Sequence, residues 1–130
     1  MNSRPLALFL FNGNLMKTKI HLIAGARPNF MKVAPILREI KRFPEYFESR
    51  LVHTGQHYDD NLNTVFFREL GIPAPDYQLK IGSASHARQT AGVMVEYEKI
   101  CERDRPHLVM VVGDVNSTMA CAITAKKLNI

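Results

Sequence analysis

Four short apolar runs, none longer than a strand, alternate along this chain with helix-length stretches whose apolar residues recur every three or four positions. Lys19 to Gly25 (KIHLIAG) is β-branched, apolar and closed by glycine, so it reads as the first strand. Phe30, Val33, Leu37 and Ile40 then make one stripe of a first helix. Pro28 suits its first turn, Pro35 should bend it, and Phe43-Pro44 closes it. After a polar Glu48-Ser49 connection, Arg50 to Thr54 is the second strand, and Gly55-Gln56-His57-Tyr58 is a loop. Asp59 or Asp60 caps a second helix with Leu62, Val65, Phe66 and Leu70 on its buried face, and Gly71 followed by Ile72-Pro73 stops it. Tyr77 to Ile81 is the third strand. Ser83 or Ser85 caps a third helix, with the stripe Ala87, Ala91, Met94, Tyr97 or Glu98, and Cys101, ending at Arg105-Pro106. His107 to Val112 is a fourth strand, apolar enough to be covered on both faces. Gly113-Asp114 ends it, and Asn116 or Ser117 caps a fourth helix running through Met119, Ala122 and Ile123 to Leu128.

Four β-α units with short connections and right-handed crossovers predict an α/β fold: a Rossmann-like parallel sheet, order 3-2-1-4, with helices on both faces. No repeat or linker divides residues 19–130, which read as one domain. Residues 1–18 read as an N-terminal extension, disordered or an artefact of the start site. Arg4, Pro5 and Leu6 to Phe11 imitate a signal peptide, but six apolar residues are too few and no A-x-A site follows. The fourth helix ends on Lys126-Lys127-Leu128-Asn129-Ile130 with no strand to receive it, so the domain is expected to be incomplete.

Composition narrows the partners. The 130 residues are 46% hydrophobic and 22% charged, the balance of a globular domain, and no apolar run reaches membrane-spanning length. The net charge of +5 is scattered, without basic runs interleaved with aromatics. Nucleic-acid binding is therefore weakly supported and an anionic small ligand fits the charge equally well, so a small-molecule partner is expected, with neither nucleic acid nor membrane. Cys101 and Cys121 lie in helical patterns without CxxC or histidine spacing, which predicts neither zinc site nor disulfide framework and places the chain in a reducing cytoplasm.

Ligands of open α/β sheets bind beyond the carboxyl ends of the strands, where successive connections leave to opposite sides. In a 3-2-1-4 sheet that crevice lies between strands one and four. Gly25-Ala26-Arg27-Pro28-Asn29 and Gly113-Asp114-Val115-Asn116-Ser117 meet there, bringing Arg27, Lys32 and Asp114 to one place. A helix start and Arg27 can grip phosphate oxygens; alternatively Arg27 and Asp114 form a plain ion pair. The dinucleotide G-x-G-x-x-G fingerprint and the P-loop are absent. Gln56 and His57 reach the same rim from strand two, where His57 is either a titrating ligand group or an exposed loop histidine. His21 and His53, inside strands, read as core or flanking residues, and Met94, Met110 and Met119 as packing.

With Gly25-Ala-Arg-Pro-Asn-Phe-Met-Lys-Val-Ala-Pro35, Thr54-Gly-Gln-His57, Pro75-Asp-Tyr77 and Val112-Gly-Asp-Val-Asn-Ser-Thr118 in this order, residues 19–130 resemble the non-hydrolysing UDP-N-acetylglucosamine 2-epimerases. Ala26 and Asn29 stand where that pattern usually has Thr and Glu, a departure that touches substrate preference rather than membership. The resemblance implies the N-terminal part of a two-domain, glycosyltransferase-B-like isomerase of polysaccharide biosynthesis, homodimeric at full length and using neither metal nor nicotinamide cofactor. Such an enzyme converts UDP-GlcNAc to UDP-ManNAc by eliminating UDP and adding it back. By motif position it assigns substrate binding to Arg27 and Lys32, a catalytic carboxylate to Asp114, and an effector UDP-GlcNAc site to Gln56 and His57. The family continues into an E-A-G-[LM]-R strand and a second domain, so this chain alone is expected to be inactive. The alternative is a nucleotide-sugar-binding subunit of a split glycosyltransferase-type enzyme.

Overall fold

The computed structural model describes residues 10–11, 14–55, 65 and 67–130. Its elements are β1 (Leu10–Phe11), β2 (Asn14–Leu15), β3 (Thr18–Ala24), α1 (Arg27–Ile40), β4 (Phe47–His53), β5 (Tyr77–Gln78), α2 (His86–Asp104), β6 (Leu108–Val111) and α3 (Asn116–Lys127). β1 and β2 pair antiparallel as a separate ribbon within the segment read as an extension. The other four strands form one parallel sheet, β5-β4-β3-β6, which is the expected 3-2-1-4 order.

Period-two alternation along β3 sends its side chains into two cores. Ile20, Leu22 and Ala24 join Leu51 of β4 under Phe30, Val33, Ala34 and Leu37 of α1. Ile23 and Val52 face the other way, against Val93, Tyr97, Ile100 and Cys101 of α2 and Ala120 and Cys121 of α3. Leu22 is fully buried and sits in register with Leu51 on one side and Met110 on the other.

The α1 stripe lies as expected, with Pro28 in the first turn. Pro35 falls on the exposed side, where water can take the bond its missing N–H leaves unmade. β4 starts earlier than Arg50, because Thr18 N–H donates to Tyr46 O (2.8 Å) and opens the ladder there. The start of the second helix, with Leu62 and Phe66, lies outside the described residues. Its last turn buries Phe67 and leaves Val65 exposed, so Val65 is not on the buried face. Gly71 at φ +63° and the Ile72 N–H bond to Phe67 O (3.0 Å) close that turn as glycine stops do.

β5 is two residues rather than five. Leu79 N–H still reaches His53 O (2.9 Å), but Lys80 turns to φ +54° and ends the extended run. Ser85 caps α2, accepting from Arg88 N–H. Its buried stripe is Val93, Tyr97, Ile100 and Cys101, whereas Ala87 and Ala91 are exposed. The first turns of α2 meet the start of α3 instead of the sheet: Asn116 Nδ2 lies 3.0 Å from His86 Nδ1 and 3.2 Å from Gln89 Oε1.

That use of Asn116 removes it as a cap, and Ser117 is buried, so α3 begins after Val115 without a side-chain cap. Close packing of α3 on α2 selects small residues, Ala120, Cys121, Thr124 and Ala125, for the buried face. Met119 (50% exposed) points outward, contrary to its reading as a packing residue, and Ala122 and Ile123 (41%) are exposed as well. β6 is not covered on both faces either: Leu108 is 45% exposed and the rest half-buried, because β6 is an edge strand among the described residues. An open edge with exposed apolar neighbours favours pairing with another edge. The 130-residue chain is therefore expected to self-associate in light scattering, and a monodisperse monomer over a hundredfold concentration range would show that the edge is covered.

Toward the amino ends of the strands the second core holds a polar chain. His21 Nε2 lies 2.7 Å from Asp104 Oδ2 and Nδ1 3.0 Å from Tyr97 Oη, while Asp104 Oδ1 accepts from Lys19 Nζ (2.6 Å). Burial lowers the His21 pKa despite the carboxylate beside it, so His21 is neutral, donating from Nε2 to Asp104 and accepting the Tyr97 proton. Burial would raise the Asp104 carboxyl, but the bonds from Lys19 and His21 outweigh it and hold the pKa down at about 2. The signs follow by linkage. Below about pH 6.5 an unfolded His21 takes up a proton more readily than the folded one, so stability falls as pH drops through that range. The Asp104 contribution is complete above its unfolded pKa and is lost as pH falls toward 2. Urea unfolding should show stability falling as pH drops below about 6.5, and the fall should be shallower in His21→Gln; the same pH dependence in the two proteins would remove His21 as its source.

Candidate functional site

β3 and β6 are neighbours, yet α1 leaves β3 over one face and α3 leaves β6 over the other, so a crevice opens between their carboxyl ends. Close approach at Gly25 builds its floor. A Cβ there would stand 2.3 Å from Ser117 Oγ and 2.8 Å from Thr54 Oγ1, so only glycine lets β3, the end of β4 and the start of α3 converge. Thr54 Oγ1 is buried without a hydrogen-bond partner among the described residues.

Two bonds tie the loops above this floor. Asn29 Nδ2 donates to Val112 O (3.3 Å), and Thr118 Oγ1 donates to the same carbonyl (3.0 Å). Arg27 is the first residue of α1 and is exposed; Lys32 follows on its second turn, also exposed. Asp114 sits in the bend after β6, exposed and next to Gly113, whose φ of +81° makes the turn. Topology thus brings the Arg27 and Asp114 loops together as expected. Gln56 and His57 lie outside the described residues. His53 is a core residue, its ring 5.1 Å from that of Phe30.

Neither α1 nor α3 has a side-chain cap, and both begin at this crevice. Two helix dipoles directed at one place favour an anion, and Arg27 adds a full positive charge. A solvent-facing carboxylate at Asp114 supplies a group able to carry a proton. Sequence reasoning missed Asn29 and Ser117. The signal for Asn29 was its place at the third position of a helix that lacks a capping residue, where an amide can reach back to the turn.

Sheet order, crevice and paired helix starts define a Rossmann-like α/β domain with a candidate ligand crevice at its switch point. Residues 38–130 match the family model described as UDP-N-acetylglucosamine 2-epimerase. A "UDP-N-acetylglucosamine 2-epimerase homolog" of Methanococcus maripaludis is 50% identical over 112 residues, 86% of this chain and 30% of its own length. The UDP-2,3-diacetamido-2,3-dideoxy-D-glucuronate 2-epimerase of Pseudomonas aeruginosa is 43% identical over the same share of this chain. The crystal structure of Methanocaldococcus jannaschii UDP-GlcNAc 2-epimerase with UDP-GlcNAc and UDP superposes with a TM-score of 0.81 at 39% identity, covering 87% of this chain and 31% of that one. The chain belongs to the UDP-N-acetylglucosamine 2-epimerase family, and it spans about 30% of the length of the curated relatives it matches.

Gly25→Ala should cost about 1–3 kcal/mol through the clash with Ser117 and lower the melting temperature by several degrees. Adding Ser117→Ala should recover part of that loss in thermal unfolding. Strict additivity would mean that Gly25 is needed for something other than this contact.

Proposed function

We propose that this chain supplies the Arg27 and Asp114 side of a UDP-sugar site in an enzyme that inverts C2 of UDP-GlcNAc to give UDP-ManNAc. The observation that carries this reading is the crevice where two helices start and the Asn29–Val112 bond ties the turn bearing Arg27 to the loop bearing Asp114, in a member of the epimerase family. In the first half-reaction a base takes the C2 proton and the anomeric C–O bond breaks, its electron pair leaving on UDP. The remaining 2-acetamidoglucal is re-protonated at C2 from the opposite face as UDP adds back. Arg27 and Lys32 neutralise the departing diphosphate, and Asp114 carries a proton near the sugar. Neither half needs a metal or nicotinamide. Gln56 and His57 are assigned to an effector UDP-GlcNAc site, and the whole enzyme is read as a cytoplasmic homodimer serving polysaccharide synthesis.

A second sugar is favoured by one observation: the Pseudomonas aeruginosa relative named for a diacetamido-glucuronate matches this chain as closely as a Methanococcus maripaludis UDP-GlcNAc 2-epimerase, both at 43%. The C2 chemistry is the same for either substrate. A split enzyme, with this chain as the nucleotide-sugar-binding subunit, remains the alternative arrangement.

The test is a fusion of this chain to the part of a relative that it does not span, assayed with both UDP-sugars. Turnover is expected from the fusion and none from the 130 residues alone. Asp114→Asn in the fusion should lower kcat by about a hundredfold or more while changing KM less. Near-normal turnover of that variant would return Asp114 to a structural role.

A further inference from the structure

Asn29 is buried at the third position of α1 and makes three bonds with its amide. Oδ1 accepts the N–H of Gly25 (3.1 Å) and of Ala26 (2.9 Å), which fixes the turn leading to Arg27. Nδ2 donates across the crevice to Val112 O (3.3 Å), the last carbonyl before Gly113-Asp114. Backbone pairing of β3 with β6 ends at Ile23 opposite Val111, so this amide carries the attachment between the two strands one step further, past the ladder. Gly113 is shaped to it: a Cβ there would lie 2.6 Å from Asn29 Nδ2.

We propose that Asn29 is a positioning residue, whose amide sets the Arg27 turn against the Asp114 loop by accepting from one and donating to the other. It acts on ligand only through those two neighbours, and this role rests on reading the crevice as the UDP-sugar site. A carboxylate cannot replace it. Aspartate or glutamate would keep the two acceptor bonds but set a negative oxygen against the Val112 carbonyl, so the turn would hold while the loop came loose. A chain with an amide here and a chain with an acid here therefore hold the loop after β6 differently, even with the same residues on it.

Nuclear magnetic resonance of the 130-residue chain tests the proposal without any ligand. In the wild type, 15N order parameters at Gly113 and Asp114 should lie near the rigid value of about 0.85. In Asn29→Asp they should fall below about 0.6, while the Gly25 and Ala26 amides remain protected from exchange. In Asn29→Ala, which adds no charge, the loop should loosen equally and the two amides should also lose protection. Titration with UDP-GlcNAc should give a Kd at least fivefold weaker in both variants. Rigid Gly113 and Asp114 in both variants would overturn the proposal, as would loosening spread evenly over the β3 and β4 amides, the mark of a residue that only stabilises. The order parameters decide the clip by themselves; wild-type chain that leaves UDP-GlcNAc unbound would count against the proposed function alone.

Discussion

β3 is hydrogen-bonded along both edges and covered on both faces, and the rest of the molecule takes its position from that strand. Its register with β4 aligns Leu22 with Leu51, and its register with β6 aligns Leu22 with Met110. Moving either pairing by one residue would exchange the two cores, putting His21 where Leu22 packs under α1. The carboxyl end of β3 is therefore a fixed point, and the Gly25 turn can be built there to within a few tenths of an ångström.

Function follows from how little material occupies that point. Glycine at 25, serine at 117 and threonine at 54 let three chain segments approach until only hydroxyls separate them. Two helices can then begin side by side with their positive ends directed into the same crevice. Charge enters at its margin, on Arg27 and Asp114, both exposed. The second core solves the reverse problem, with Asp104 and Lys19 satisfied by hydrogen bonds because burial would otherwise expel them.

The legible parts of this fold were those fixed by periodicity and glycine. The α1 stripe and the Gly71 stop could be read locally, from apolar spacing and from a glycine where φ turns positive, and the strand order from short β-α connections with right-handed crossovers. The α2 and α3 faces could not. Ala87, Ala91 and Met119 fit a helical stripe on paper, but α2 overshoots the sheet, and α3 packs by its small residues because α2 comes so close. At the site, the rule that governs switch points pointed to the loops after β3 and β6, which are neighbours in the sheet. Asn29 was visible only as a departure from a pattern, because its bond is to Val112, 83 residues away, which no local pattern records.

The α2–α3 contact has a kinetic side. Cys101 and Cys121 are both buried in it, both free, and burial pushes both thiols above their ordinary pKa. A thiol that is neutral and out of reach does not react with an alkylating reagent, so each modification records a moment when the two helices have parted. With reagent in excess, the rate of labelling becomes the rate of opening; with reagent scarce, it becomes the population of the open form. The protein thus carries two internal clocks on one interface, set by residues that were chosen for their size.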